Sequence, residues 1–266
     1  MQRYHFSVIG KRKGDNSFRL SSYLWKEIRL VEMAGIRIDS AETMERVIRE
    51  VGFIPFFRNR IPGFSIQEMT PREYWFDGEE GILGPWDWKI ECVRSGDIAY
   101  GKFLCGGKAS FATVEWYREI MNLQRSRFSP DEAGEKILGY ISTHGSISIK
   151  EVRGLLEVRK SAADAAIARL QRQCRVVTGD LTRVYRGPNL KYSGWQVATF
   201  CRPEDIFTGD SSFQAFTSIP GFPFKADSDP LHTDHSPEES LEVLVDHILS
   251  ISPSPAARKD VMKILL

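Results

Sequence analysis

Apolar residues recur at helical spacing over much of this chain and switch to alternation in a few places. In residues 40–51, Met44, Val47, Ile48 and Val51 stand three and four apart, which predicts a helix capped by Ser40. Gly52-Phe53-Ile54-Pro55 closes it. Residues 98–111 alternate on both sides of Gly106-Gly107 and predict a strand pair. Residues 115–123 return to helical spacing, with Trp116, Ile120 and Leu123 on one face. The stretch 71–89 is different. Tyr74, Trp75, Phe76, Trp86 and Trp88 flank a loop containing Gly78, Gly81, Gly84 and Pro85, and the expectation is strand, loop, strand.

Residues 129–207 predict a more specific sequence of elements. Ser129 before Pro130-Asp131-Glu132 reads as a helix cap, and the helix carries Ile137, Leu138 and Ile141 inward as far as Gly145. Ser146-Ile147-Ser148 is short and extended. Ser148 and Glu151 have the spacing of a capping box and open a second helix to about Leu156. Ser161 reads as the cap of a third helix, residues 162–173, with Ala163, Ile167 and Leu170 on one face. Residues 175–185 and 195–200 then read as two strands joined through Gly187-Pro188-Asn189. Helix, short strand, helix, helix and ribbon make a winged helix-turn-helix, with the third helix for recognition and the ribbon as wing. Ser236-Pro237-Glu238-Glu239 opens a further helix with Leu241, Leu244, Val245 and Ile248 inward, and a last short helix carries Val261, Ile264 and Leu265. The fold class expected is α+β: 1–128 an aromatic-rich α+β domain, 129–207 the winged helix, and 208–266 a linker followed by C-terminal helices. There is no internal repeat.

The chain has 266 residues and a formal net charge of +1. That near-neutrality excludes a polybasic protein that adheres to nucleic acid over its whole surface. With 42% apolar residues the chain is also not disordered. The sum hides a division, however: residues 1–128 and 129–207 each carry +3, and residues 208–266 carry −5. Between 159 and 191 stand Arg159, Lys160, Arg169, Arg172, Arg175, Arg183, Arg186 and Lys191 against Asp164 and Asp180. These eight cations and Ser161 lie on, after or just before the third helix, where a phosphate backbone would approach. The front of that helix offers Ser161, Ala162 and Ala165, which read base edges poorly, so contact is expected through backbone and shape more than through sequence.

Other chemistry is sparse. Cys92, Cys105, Cys174 and Cys201 lack the short spacing of zinc ligands and are expected to be reduced and structural. His232 and His235 lie in and beside an acidic stretch and are expected in a solvated loop; no metal and no cofactor are expected. There is no Ser/His/Asp grouping, no Cys/His pair and no Gly-rich phosphate loop. The aromatics of 71–89 serve as core in one reading. In the other, Tyr74, Trp75, Trp86, Trp88 and Lys89 form a pocket for a planar base. No apolar run is long enough to span a membrane, and the first residues lack a signal peptide's apolar stretch, so a cytoplasmic location is expected.

Several motifs resemble one family. They are Val47-Ile48-Arg49-Glu50-Val51-Gly52-Phe53, Pro62-Gly63-Phe64-Ser65, Gly84-Pro85-Trp86-Asp87-Trp88-Lys89, residues 95–103, Ser193-Gly194-Trp195-Gln196-Val197-Ala198 and Arg202-Pro203-Glu204-Asp205. Together, over about 36–208, they are similar to AlkZ-related proteins, distant relatives of the AlkZ/YcaQ glycosylases. The resemblance implies tandem winged helices and a connection to repair of alkylated DNA. Those glycosylases carry a Gln-x-Gln or Gln-x-Asp motif. Here Asp39 matches its second position, but Arg37 stands where Gln is needed, and Arg cannot act as Gln does. Asp39 is thus the candidate catalytic residue of a motif that is not intact. Three readings follow: a protein binding duplex DNA, a DNA N-glycosylase, and a ligand-responsive transcription regulator. A protein partner or homodimer is compatible with each.

Overall fold

Helix α1 (Ala41–Val51) starts as its sequence requires. The Ser40 hydroxyl accepts from the Thr43 amide, and the Thr43 hydroxyl accepts from the Ser40 amide. It stops at Gly52, whose φ of +85° suits glycine. A Cβ on Gly52 would also lie 2.3 Å from the Trp116 indole. The structure, a computed structural model, describes residues 36–75, 83–207 and 229–266. Phe76, Asp77, Gly78 and Gly81 of the aromatic run and the linker at 208–228 lie outside the described residues, as do residues 1–35.

After α1 come β1 (Phe53–Pro55), the short α2 (Ile66–Met69), a 3-10 turn at Arg72–Tyr74, α3 (Pro85–Arg94), β2 (Ile98–Leu104), β3 (Lys108–Thr113) and α4 (Val114–Arg127). The three strands form an antiparallel sheet in the order β1-β3-β2. The expected strand at 85–89 is a helix instead. Pro85 sits in its first turn, Asp87 meets the positive end of its dipole, and Gly84 precedes it. The helical period is masked because Pro85, Asp87, Trp88, Lys89, Ile90, Cys92 and Val93 are all buried. The helix packs on α1 on one side and on a later strand on the other, which leaves almost no polar face to mark the period.

The second part has α5 (Glu132–His144), β4 (Ile147–Ser148), α6 (Ile149–Leu156), α7 (Lys160–Arg172), β5 (Val177–Arg186), β6 (Lys191–Cys201) and α8 (Pro203–Ile206). The strands are antiparallel in the order β4-β6-β5. The predicted capping box of Ser148 and Glu151 is present. Two caps differ from expectation. Asp131, not Ser129, caps α5, because its carboxylate reaches the Gly134 amide at 2.8 Å. Ser161 lies inside α7, which starts at Lys160 after Arg159 and has no side-chain cap. α9 (Pro237–Ile251), with its Ser236/Glu239 box, and α10 (Arg258–Leu265) complete the fold. The mixed helices and small antiparallel sheets make this an α+β protein.

There are two main cores. The larger joins α1, the first sheet and α4 with Leu244, Val245, Ile248, Val261, Ile264 and Leu265 of the last two helices. The other is built from Ile137, Ile141, Ile147, Val152, Ala163, Ile167, Leu170 and Phe200. One polar knot fixes the segment before α9 to α4. Glu119 is 4% exposed and accepts from Ser240 at 2.7 Å, His235 Nδ1 at 3.0 Å and Thr233 at 2.8 Å. Burial works to raise its pKa, but these three hydrogen bonds outweigh burial and hold it below the usual value.

A depressed carboxylate pKa adds stability above the unfolded-state value, and that contribution disappears as pH falls through the folded one. Glu119→Gln should therefore cost on the order of 1–3 kcal/mol at neutral pH. In urea unfolding the gap between variant and parent should narrow steadily below the ordinary glutamate range; a gap independent of pH would contradict the assignment.

Candidate functional site

The two parts meet along α3. Asp87 and Arg94, seven residues apart, lie on one side of that helix. Arg183 and Asp180 lie on β5 with the charges reversed. Arg183 Nε donates to Asp87 at 3.2 Å, and Arg94 Nε donates to Asp180 at 3.0 Å. Between the two pairs, Leu181 is buried against Ile90 and Val93. From β6, Gln196 Nε2 donates to the Trp86 carbonyl at 2.7 Å and to the Tyr192 hydroxyl at 3.0 Å. The ribbon read from the sequence as the wing is clamped along one side to the first part.

Behind this seam lies a cleft of about 200 Å³. Its near wall is Lys89 of α3 with Tyr100, Gly101, Lys102 and Ala109 of the first sheet. Its far wall comes from α6, α7, β5 and β6 and includes Asp164, Ile167, Gln171 and Phe200. Gly101 permits this approach, since a Cβ there would meet the Gln171 amide at 3.3 Å. Gln171, itself buried, donates to Thr178 at 3.2 Å. Asp164 is held by Lys160 at 2.6 Å.

Lys89 is the distinctive group. It is 8% exposed, and among the described residues it has no hydrogen-bond or ion-pair partner. Its ammonium lies 4.6 Å from the Trp86 ring centroid and 5.9 Å from that of Tyr100. Desolvation by burial pushes its pKa down to about 8, opposed by the charge of Asp87. Burial likewise raises the Tyr100 phenol above its ordinary value.

The candidate aromatic pocket is thus divided. Lys89 lines the cleft. Trp86 stands behind it, packed on Phe56 and Phe57 at 5.1 and 5.7 Å. Trp75 meets Phe56 edge-on, and Tyr74 lies 5.2 Å from Trp88, which is buried in the core. Asp39 is elsewhere, exposed before α1, with its carboxylate accepting from the Thr43 hydroxyl at 3.1 Å. Arg37 pairs with Glu73 at 2.8 Å rather than with Asp39.

The candidate DNA contacts divide too. Arg159, Lys160, Ser161 and Arg169 are exposed along α7 beside the exposed Ala162 and Ala165. Arg169 pairs with Asp131 at 2.9 Å in a solvent-facing bridge. Arg186 is exposed near the ribbon tip, 5.9 Å from the ring of Trp195, which is 62% exposed. Arg172 and Arg183 are engaged internally, and Arg175 is partly buried with its Nε unpaired. Arg172 lies over Phe128 and donates to the Leu266 carbonyl. Arg175 is half-buried, and burial and then Arg125 lower its pKa. Arg183 belongs to the seam. The side chain of Lys191 lies outside the described residues. His232 and His235 bond Asp234 and Glu119, and among the described residues no three His, Cys, Asp or Glu side chains gather as a metal site would.

Sequence reasoning gave Asp87, Arg94, Asp180, Tyr192 and Gln196 no role in a seam, because contacts spanning 86 to 110 residues leave no local signal. It also missed Tyr100, Lys102 and Gln171, which alternation and helical spacing mark only as strand and helix positions.

An α+β chain with two small antiparallel sheets, a clamped ribbon and a lysine-bearing cleft is the class defined by this geometry. Residues 38–266 match the family described as AlkZ related, and the chain belongs to that family, which makes it a relative of AlkZ-type DNA-repair proteins. No curated protein and no solved structure matches it. Among the described residues no helix is long and apolar enough to cross a membrane.

The seam can be weighed by a double-mutant cycle in urea. Asp87, 7% exposed, is nearly dry, so Asp87→Asn and Arg183→Ala should each cost about 1–3 kcal/mol and be strongly non-additive. The more exposed Arg94–Asp180 pair should couple by less than about 1 kcal/mol. Equal coupling in both pairs would contradict this ranking.

Proposed function

We propose that this protein binds duplex DNA through a winged-helix unit at residues 129–207, mainly by contacting the phosphate backbone. The observation that carries the reading is the start of α7. The helix lacks a side-chain cap and has no acidic residue in its first turn, yet Arg159 and Lys160 stand there. Cations at the positive end of a helix dipole are unfavourable by some tenths of a kcal/mol, and uncapped amides invite an anion. A phosphate group answers both, with the exposed Ser161 hydroxyl as a further donor. Ala162 and Ala165 allow close approach without reading bases. Lys160 and Arg169 exchange their solvent-facing bridges, to Asp164 and Asp131, for phosphate, and Arg186 adds a contact from the ribbon. Arg172 and Arg183 support the fold rather than the DNA. The relationship to a repair family supports the choice of duplex DNA.

Fluorescence anisotropy with random-sequence duplexes between 50 and 200 mM salt tests this. Unrelated sequences should bind alike. Arg159→Ala with Lys160→Ala should weaken binding and flatten the log–log salt slope by about 2, close to one per lost phosphate contact. Arg183→Ala should lower stability and leave the slope unchanged. A slope insensitive to Arg159 and Lys160 would overturn the proposal.

A further inference from the structure

A lysine buried without an ion-pair partner is costly, because desolvation penalises the charge and only the through-space charge of Asp87 offsets it. Around Lys89, every carboxylate within reach is already committed. Asp87 on its own helix accepts from Arg183, and Asp164 across the cleft accepts from Lys160. The other charged group on the cleft wall is Lys102, a second cation. The rings of Trp86 and Tyr100 stabilise the ammonium only in part. The cleft is therefore left electropositive, and its missing component is an anion.

The walls define the rest of the occupant. Tyr100, Ile149, Ile167, Leu181 and Phe200 are apolar or aromatic surfaces. Gln171 donates one Nε2 hydrogen to Thr178, and the second is left for an acceptor in the cleft. At about 200 Å³ the space is smaller than the roughly 300–1,000 Å³ of drug-sized pockets. We propose that the cleft between β2 and α7 is a binding site for a small planar anion, an aromatic carboxylate in class. Lys89 is its counter-charge, Tyr100 and Phe200 are its walls, and the Gln171 amide orients it. This site stands on its own observations and does not depend on the DNA reading.

The full-length protein should be titrated calorimetrically with benzoate, its neutral isostere benzamide, and inorganic phosphate. Benzoate should bind at least tenfold more tightly than benzamide, for want of charge, and than phosphate, for want of a ring. Lys89→Met should bring benzoate and benzamide within about twofold of each other and raise the Tm, because it removes an unpaired buried charge. On the unmutated protein, benzoate but not benzamide should protect Lys89 from acetylation by acetic anhydride, mapped by mass spectrometry. That measurement needs no variant to fold. Equal binding of benzoate and benzamide, no binding of benzoate, or discrimination that survives Lys89→Met would overturn the site. Phosphate binding as tight as benzoate would overturn its planar part.

Discussion

The crossed pairing of α3 with β5 is the constraint on which the rest of the arrangement depends. Asp87 and Arg94 on one element face Arg183 and Asp180 on the other, with Leu181 buried between them. The charge order admits one register: a slip along the strand would set Arg94 toward Arg183 and leave Asp87 buried without a partner. An uncompensated carboxylate at that depth costs more than the pair contributes, so the pairing acts chiefly as a specificity device. Once β5 is held there, β6 must follow it by ladder hydrogen bonds. α7 then lies across β2, at the one place where Gly101 leaves room for Gln171.

Two consequences oppose each other in a useful way. Clamping one side of the ribbon uses up Arg183, which a count of charges along the chain assigns to DNA. The same clamping turns Trp195 and Arg186 outward and gives the exposed side of α7 a fixed relation to them. The excess of cations between 159 and 191 is therefore two populations. One holds the protein together, and the other is left at the surface. The overall charge of +1 says nothing about this division, because it is set by where partners lie and not by how many cations there are.

What could be read from the chain follows the range of the forces involved. Helix starts governed by contacts three residues apart were legible: Ser40, Ser148 and Ser236 each cap the helix their spacing predicts. The strand pair around Gly106-Gly107 was legible because alternation and a glycine turn coincide. α3 was not, because a helix buried on both sides loses the polar face that reveals its period. Ser161 misled for a related reason. A serine near a helix start caps it only if its own backbone is extended, and here the extended residue is Arg159 while Ser161 is already helical. The candidate site was legible in type more than in geometry. Lys89 was picked out for its aromatic neighbours, yet its significance comes from facing the cleft with no ion-pair partner, while Asp87 turns to Arg183 and Asp164 is held by Lys160.

Helix α3 links the seam to the cleft. Asp87 and Lys89 stand two apart on α3 and so face different sides of it, Asp87 toward Arg183 of the ribbon and Lys89 into the cleft. The same helix thus carries the seam on one side and the cleft's cation on the other. An anion bound at Lys89 would touch α3 and β2 on one side and α7 and β5 on the other, the very elements the ion pairs join. It would therefore strengthen the seam by adding contacts across it, and any state in which the seam opens would lose them. Coupling between the cleft and the exposed face of α7 then needs no long pathway, because Ile167 and Gln171 line the cleft from the same helix that presents Ser161, Ala165 and Arg169 to solvent.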